Sequence, residues 1–469
     1  MEKIRPIIQE IAIEADGPNI FEAFKNDEKA IFLDSGLRHQ EIGRYSFIVS
    51  EPFLVVKSKG RKIEITREQI TEKIEGDPFL CLKRLFSEYQ IETRADYPPF
   101  QGGAVGYFSY DLGRQLEELP DWNKDDLNVP DYYLGFYDKG VAIDRLNNRV
   151  YIFATGLPLK GRESIDKAKR DITMLRKKIL KYSCTGNHPG GEISFFKGEM
   201  EKHFSKDEYC KVIQKAIDYI AAGDIFQVNI SQRFSVNLET TPWNLYKKLR
   251  DINPAPFAAF LDLGELTIVS SSPERFIRIS GSTIETRPIK GTRPRGRTPE
   301  EDLQLRNELI NSEKDKAELV MIVDLERNDL GRICQFGTVE VEELFRLEEY
   351  ATVYHLVSTI KGELRKECDV IDALKATFPG GSITGAPKIR AMEIIEELEP
   401  VKRGVYTGSI GYLGFNGESD LNIVIRTFVI KNGKAYFQTG GGIVADSDPV
   451  KEYEETLHKA KALKKSLGL

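Results

Sequence analysis

The run Cys184-Thr-Gly-Asn-His-Pro-Gly-Gly191 constrains this chain more than any other, because neither a helix nor a strand runs through such a cluster. Proline has no amide hydrogen to donate, and glycine loses the most conformational freedom on ordering. The cluster follows a charged, helix-favouring segment at 163–181 and so marks where regular structure stops. A chain of 469 residues also exceeds what one hydrophobic core usually serves. We therefore expect a division here, with one domain over residues 1–185, a linker ending near residue 200, and a second domain over residues 200–469.

In the first part, short strand-like runs at 30–33, 45–49, 62–65, 132–136 and 150–153 alternate with turns, which implies a β-rich unit with a few helices. The second part opens with a well-marked helix. Ser205 and Glu208 form a capping-box pattern, and Val212, Ile213, Ala216, Ile217 and Ile220 repeat at helical spacing before Gly223. Beyond it, strand and helix signals mix without a regular βαβ repeat, so the expected class is α+β rather than a doubly wound sheet.

A formal net charge of -6 supplies no general attraction for nucleic acid or an anionic membrane, so a small anionic ligand needs a focused basic site. No stretch approaches the roughly 18 apolar residues of a membrane span, and the N-terminal run mixes charges into its apolar residues. The five cysteines, Cys81, Cys184, Cys210, Cys334 and Cys368, show neither Cys-x-x-Cys spacing nor a paired histidine motif. A cytoplasmic protein without a disulfide framework or zinc site is expected.

Several motifs bear on chemistry. In Phe378-Pro-Gly-Gly-Ser-Ile-Thr-Gly-Ala-Pro-Lys388, Gly380 and Gly385 have the spacing of a phosphate loop, but Ala386 and Pro387 stand where lysine and serine or threonine are required. What is left is a tight turn entering a helix, with Pro387 in the first turn and Ile389, Met392, Ile395 and Leu398 as the expected apolar face. Thr384 can offer its hydroxyl there. Gly440-Gly-Gly442, after the strand-like run at 434–438, reads as a loop whose consecutive amides suit a carboxylate. Glu452, Glu455 and Lys459 fall on one helix face, a pattern that is most often a solvated ion-paired surface. Glu318 is different, because Ile322 and Leu325 place it on an apolar stripe, and a buried carboxylate needs a cation or a proton. Were it to face Glu452 and Glu455, three hard oxygen donors would suit Mg²⁺.

Lys290 lies on an expected strand between Arg287 and Arg293. To act as a nucleophile it must be neutral, which at pH 7 costs about 4 to 5 kcal/mol for an unperturbed lysine. Burial and nearby cationic charge both reduce that cost, and the two arginines contribute if they share its pocket.

The segments Gly223-Asp-Ile-Phe-Gln-Val-Asn-Ile-Ser-Gln-Arg-Phe234, Ser272-Pro-Glu-Arg-Phe276, Val323-Asp-Leu-Glu-Arg-Asn-Asp-Leu-Gly331, the glycine-rich run to Lys388, Gly408-Ser-Ile-Gly411 and Glu452-Tyr-Glu-Glu-Thr456 together resemble the chorismate-utilising enzymes, component I of anthranilate synthase and of aminodeoxychorismate synthase. Phe32-Leu-Asp-Ser-Gly36 and Phe100-Gln-Gly-Gly-Ala-Val-Gly106 extend the match into the first domain. The resemblance implies a two-domain α+β fold with mixed or antiparallel sheets packed together and flanked by helices.

It further implies that Glu318, Glu452 and Glu455 hold Mg²⁺ and that Tyr406, Arg426 and the amides of Gly441 and Gly442 hold the enolpyruvyl carboxylate of chorismate. Thr384 and Lys459 complete that pocket. Glu274 matches the general acid for the departing C4 hydroxyl, a task for a carboxyl kept protonated by its surroundings. His355 matches the family's active-site histidine, and Thr352 stands where some relatives have another. Gln227 occupies the position of the water-activating lysine of isochorismate and salicylate synthases, which disfavours hydration. Lys290 stands where anthranilate synthases usually have alanine and many aminodeoxychorismate synthases have lysine. The implied reaction is amination of chorismate to 4-amino-4-deoxychorismate, for 4-aminobenzoate and folate, with anthranilate formation as the alternative and a non-catalytic chorismate- or tryptophan-binding relative a more distant one. No glutaminase signature is present, so ammonia is expected from a separate glutaminase subunit. The first domain is expected to offer a tryptophan pocket near Leu33-Asp-Ser35 and Asn253-Pro-Ala-Pro256.

Overall fold

The computed structural model describes residues 3–14, 16–37, 42–183, 195–350 and 353–469; the chain-breaker run at 184–191 and Thr352 lie outside the described residues. Two antiparallel sheets of twelve strands each form the frame. Each expected strand of the first part is found, Tyr45–Val49 with the expected bounds and the others within a residue or two of theirs, as in Ile31–Asp34 and Arg149–Ala154. Aromatic and β-branched residues that fit a pleated, buried surface dominate them.

Neither sheet belongs to one part of the chain. In the first, Ile31–Asp34 pairs with Phe257–Asp262, placing Phe32 opposite Phe260. In the second, Gly103–Phe108 pairs with Ser409–Gly414, placing Gly106 opposite Gly411. Residues 1–185 and 200–469 are thus hydrogen-bonded into common sheets.

The sheets face each other across an apolar layer in which Phe47, Phe100 and Tyr412 meet with ring centroids 5.0 to 5.5 Å apart. Truncating a ring of that layer removes burial and leaves a cavity, at about 3–5 kcal/mol. Helices cover the outer faces. Gly161–Ser183, Pro242–Ile252 and Pro449–Leu467 pack on the first sheet, with Trp243, Tyr246 and Leu463 in its outer core. Pro78–Glu88, Glu313–Gly331 and Val370–Thr377 contribute to the core on the second, while Lys388–Leu398 packs against Gln227–Leu238 of the first. Among the described residues no helix is long and apolar enough to cross a membrane.

Local signals at the site are recovered with two corrections. The helix Lys206–Ala221 starts with the capping box of Ser205 and Glu208 and stops before Gly223, whose φ of 84° ends it. Lys388–Leu398 is helical behind Pro387, but Ile389 in its first turn is exposed, and Ala391 and Ile394 join Met392 and Ile395 on the buried face. The three glycines at 440–442 are not a loop. Lys434–Ile443 continues as a strand through them, in register with Ser231, Ile230 and Asn229.

Candidate functional site

The strand Gln227–Leu238 is the floor of the site, and its neighbours supply the walls. On one side it pairs with Lys434–Ile443; at its start it pairs with the two-residue bridge Gly385–Ala386. A Cβ on Gly385 would stand 2.1 Å from the Gln227 carbonyl oxygen, so only glycine lets the turn approach this strand. The Gln227 side chain lies across Gly442 in the same way, with Nε2 2.1 Å from where a Cβ would be.

Gly441 faces the helix Pro449–Leu467. Its missing Cβ points at Glu452 Oε2, Glu455 Oε1 and Lys459 Nζ, at 3.3, 3.5 and 3.7 Å. Lys459 Nζ donates to the Gly440 carbonyl at 2.9 Å and pairs with Glu455 Oε1 at 2.7 Å. Lys459 holds the Glu455 carboxyl below its ordinary range, although the pair is about half exposed and worth no more than about 1 kcal/mol. Glu452 is buried and accepts from Ser447 Oγ at 2.7 Å; burial pushes its carboxyl up, as does the charge of Glu455.

Lys290 and Glu274 come together on the turn Gly381–Ile383. Glu274 is buried, and its Oε1 accepts from Ser382 Oγ at 2.6 Å and from the Ile289 amide at 3.5 Å. Lys290 Nζ donates to the Ser382 carbonyl at 3.2 Å. Burial pushes the carboxyl of Glu274 up and the ammonium of Lys290 down. The arginines flanking Lys290 are engaged elsewhere, so the condition under which they would help the lysine is not met. Arg287 is buried against Glu348 and Thr359, and Arg293 pairs with Glu308 and Asp315. Burial lowers the lysine first, with Lys459 the cation that assists.

Glu318, half-buried on Glu313–Gly331, is the carboxylate that most opposes the lowering of Lys290. Burial raises its own carboxyl, with Glu455 contributing repulsion. Glu318 and Glu452 each lie within electrostatic reach of Glu455, and their hard oxygen donors are of the type that suits a divalent cation. They are not drawn together as a ligating cluster: among the described residues no three acidic, histidine or cysteine side chains stand close enough to hold one ion.

The remaining expected residues surround this centre. Thr384 is fully buried; its hydroxyl donates to the Gly380 carbonyl at 3.0 Å, and its carbonyl accepts from the Asn229 amide at 2.7 Å. Tyr406 is buried under Arg403, whose guanidinium lies 5.9 Å from its ring, and burial pushes the phenol up. Arg426, at a left-handed φ of 53°, donates to Asn253 Oδ1 at 3.4 Å, and its charge is felt by Glu274. His355 shares a 2.8 Å hydrogen bond with Thr292 on the lysine strand, and with Arg426 it lines a small pocket. Burial and Arg426 push His355 down to about 3, so it is neutral at ordinary pH.

Leu33, Asp34, Ser35 and Pro256 line a separate cavity of about 730 Å³ between the sheets, within the size range of small-molecule sites. Asn253 and Pro254 instead line the small pocket of His355 and Arg426. The Asp34 carboxylate is already engaged by Arg145, Arg250 and the Tyr246 hydroxyl.

Sequence reasoning passed over three residues that the structure puts at the centre. Ser382 sits in the quoted glycine-rich run, where its closeness to Thr384 was the only signal. Arg403 bonds Glu399, the Ile383 carbonyl and the Asn229 carbonyl, tying turn to strand. Asn229 lies two residues after Gln227 on the same strand face.

Comparison with known proteins bears on what this arrangement does. Residues 29–465 match the family model described as chorismate binding enzyme. The chain is 42% identical over 476 residues to anthranilate synthase component 1 of Acetivibrio thermocellus, covering 99% of this chain and 95% of that one. It is also 42% identical over 427 residues to aminodeoxychorismate synthase component 1 of Bacillus subtilis, covering 91% and 90%. The crystal structure of anthranilate synthase component I from Streptococcus pneumoniae superposes with a TM-score of 0.79 at 33% identity, covering 91% of this chain and 93% of that one.

Proposed function

Because the chain belongs to the chorismate binding enzyme family, we propose that it is the aminating subunit that converts chorismate and ammonia to 4-amino-4-deoxychorismate and water, acting in the cytoplasm in 4-aminobenzoate and folate synthesis. The observation that carries this reading is the pairing of Lys290 with Glu274 on Ser382, with the lysine pushed toward its neutral form and the carboxyl toward its protonated one. Each group is thus biased toward the state the chemistry needs.

In this reading Glu274 gives its proton to the C4 hydroxyl as Lys290 Nζ adds its lone pair to C2, the ring double bond shifts, and water leaves. Ammonia then forms a bond to C4 while the C2–lysine bond breaks, which returns Lys290 as a neutral amine, and the new C4 ammonium gives its extra proton back to Glu274. Tyr406, Arg426 and the Gly441 and Gly442 amides hold the enolpyruvyl carboxylate, Thr384 and Lys459 close the pocket, and neutral His355 donates or accepts a hydrogen bond without carrying charge. Mg²⁺ bound through Glu318, Glu452 and Glu455 would supply positive charge for the ring carboxylate. Ammonia comes from a glutaminase subunit, and the cavity beside Leu33 and Ser35 is where tryptophan would bind.

The rival reading is anthranilate formation, since the chain is equally identical to relatives named for either reaction. Mass-resolved products of the purified chain with chorismate, Mg²⁺ and ammonium decide. Aminodeoxychorismate without pyruvate supports the proposal, whereas anthranilate with pyruvate replaces it.

A further inference from the structure

The cavity between the sheets holds a cation with nothing to bind. Arg278, half-buried on the strand Arg275–Ser280, lines this cavity and makes no hydrogen bond or ion pair with any described residue. The other basic groups around it are taken. Arg44 pairs with Asp144, Arg287 with Glu348, Arg346 with Glu343 and Lys361 with Glu342, while Arg94 lies over the Tyr97 ring. The guanidinium N–H donors of Arg278 are thus left for solvent or a ligand.

The register explains why it has no partner. Arg278 stands opposite Asp420 on one neighbouring strand and Glu285 on the other. Cross-strand neighbours of opposite charge normally pair. Here Arg275 on the same strand takes both acids: its Nε and Nη2 donate to Asp420 at 3.0 and 3.1 Å, and its Nη1 donates to Glu285 at 2.7 Å. Arg275 is buried, so this arrangement stands before any ligand arrives. Further acids of the cavity are engaged as well. Asp34 is held by Arg145 and Arg250, and Glu418 accepts from the Gly281 amide at 2.9 Å.

The surroundings define what fits. The charge of Arg278 is felt by the hydroxyls of Tyr45 and Tyr412, which come from opposite sheets, so the guanidinium reaches into the space between the sheets. Those two rings are joined through Phe47, with centroids 6.3 and 5.3 Å from it, into one aromatic wall. A flat ring laid against this wall buries apolar area, and the planar guanidinium matches a carboxylate through two parallel hydrogen bonds. Asp420 and Glu285 beside it oppose a second negative charge, which disfavours a phosphate. We propose that the second-sheet side of this cavity binds an aromatic monocarboxylate, with its carboxylate on Arg278 and its ring against Tyr412 and Tyr45. The side at Leu33 and Ser35 remains for tryptophan, and the inference holds whichever product the enzyme makes.

The test is calorimetric titration of the purified full chain with 4-aminobenzoate, in saturating chorismate and Mg²⁺ without ammonium, so that the active site is already filled. Wild type is expected to bind, and Arg278→Gln should weaken binding about tenfold or more, equivalent to about 1.4 kcal/mol, with Arg278→Lys in between. On the wild type, 4-aminobenzamide, which keeps the ring and lacks the charge, should also bind about tenfold more weakly than the acid. Both variants should consume chorismate with ammonium at the wild-type rate, which verifies folding; if Arg278→Gln does not, Arg278→Lys and the comparison of acid with amide decide. Absence of wild-type binding, equal affinity in the variants, or equal binding of acid and amide overturns the proposal. One-for-one displacement of 4-aminobenzoate by tryptophan overturns it too, because the two ligands would then share one seat.

Discussion

Lys290 and Glu274 converge on one residue from opposite sides: the lysine donates to the Ser382 carbonyl at 3.2 Å, and the glutamate accepts from the Ser382 hydroxyl at 2.6 Å. A single turn thus sets the spacing between the proposed nucleophile and the proposed acid. Replacing Glu274 by Gln keeps the shape and the Ser382 hydrogen bond but removes the transferable proton. We expect kcat to fall about 10²–10⁴-fold with chorismate binding retained. Lys290→Ala is expected to abolish most aminodeoxychorismate formation and to divert residual turnover toward anthranilate. Product analysis of the two variants checks this, and an unchanged rate and product for Lys290→Ala would remove the lysine from the mechanism.

The same pair fixes the sign of the pH dependence. Lys290 acts when deprotonated, and burial lowers it from its ordinary value near 10.4, so activity rises with pH through that lowered value. Glu274 acts when protonated, and burial raises it above the ordinary carboxyl range, so activity falls as pH climbs through that raised value. A bell-shaped kcat profile results, with its two limbs belonging to the coupled pair. Lys290→Ala should lose the rising limb of its residual activity; a profile identical in shape to wild type contradicts the assignment.

Glu326 gives a stability prediction that is independent of catalysis. It is buried behind the same turn, accepts from Thr286 Oγ1 at 2.8 Å, and is pushed up to about 8 by burial, opposed by the Thr286 bond. In the unfolded chain it titrates near 4.3. The folded state therefore holds a proton that the unfolded state gives up between these values. Its contribution to stability is full below about 4 and is lost as pH rises through about 8. Glu326→Gln should remove that loss, leaving the variant more stable than wild type at pH 8–9 by a few kcal/mol, an order-of-magnitude figure, relative to the difference at pH 5. Denaturant melts at the two pH values measure it, and equal pH slopes would show that Glu326 does not stay protonated in the fold.

What the sequence revealed here was local, and what it hid was not. The Ser205 and Glu208 box was legible because both partners lie within one turn. The class and the aromatic strands were legible from residue type and period. Gly440 to Gly442 read as a loop because glycine has poor strand propensity, yet the strand needs glycine there: Gly442 gives room to Gln227, and Gly441 faces Glu452 and Glu455. Whether Arg287 and Arg293 share the pocket of Lys290 could not be read from adjacency, because their partners Glu348 and Glu308 are set by packing. The pairing of Phe32 with Phe260 across more than two hundred residues left no trace in either run.

The carboxylates around Gly441 give a test of metal binding that does not depend on turnover. Without a cation, Glu318 and Glu452 are pushed toward the neutral form by burial and by the charge of Glu455, which strains the folded state at neutral pH. A divalent ion binding only the folded chain relieves that repulsion and stabilises it by RT ln(1 + [L]/Kd), about 2.7 kcal/mol at a hundredfold excess over Kd. Mg²⁺ should therefore raise the melting temperature of the wild type reversibly with EDTA. In Glu452→Gln the melting temperature without metal should be equal or higher, because a buried charge is gone, while the Mg²⁺-dependent rise should shrink or vanish. Chelation should also abolish wild-type turnover. If Mg²⁺ stabilises Glu452→Gln as much as wild type, or activity survives exhaustive EDTA treatment, these carboxylates serve the fold and Lys459 rather than a metal.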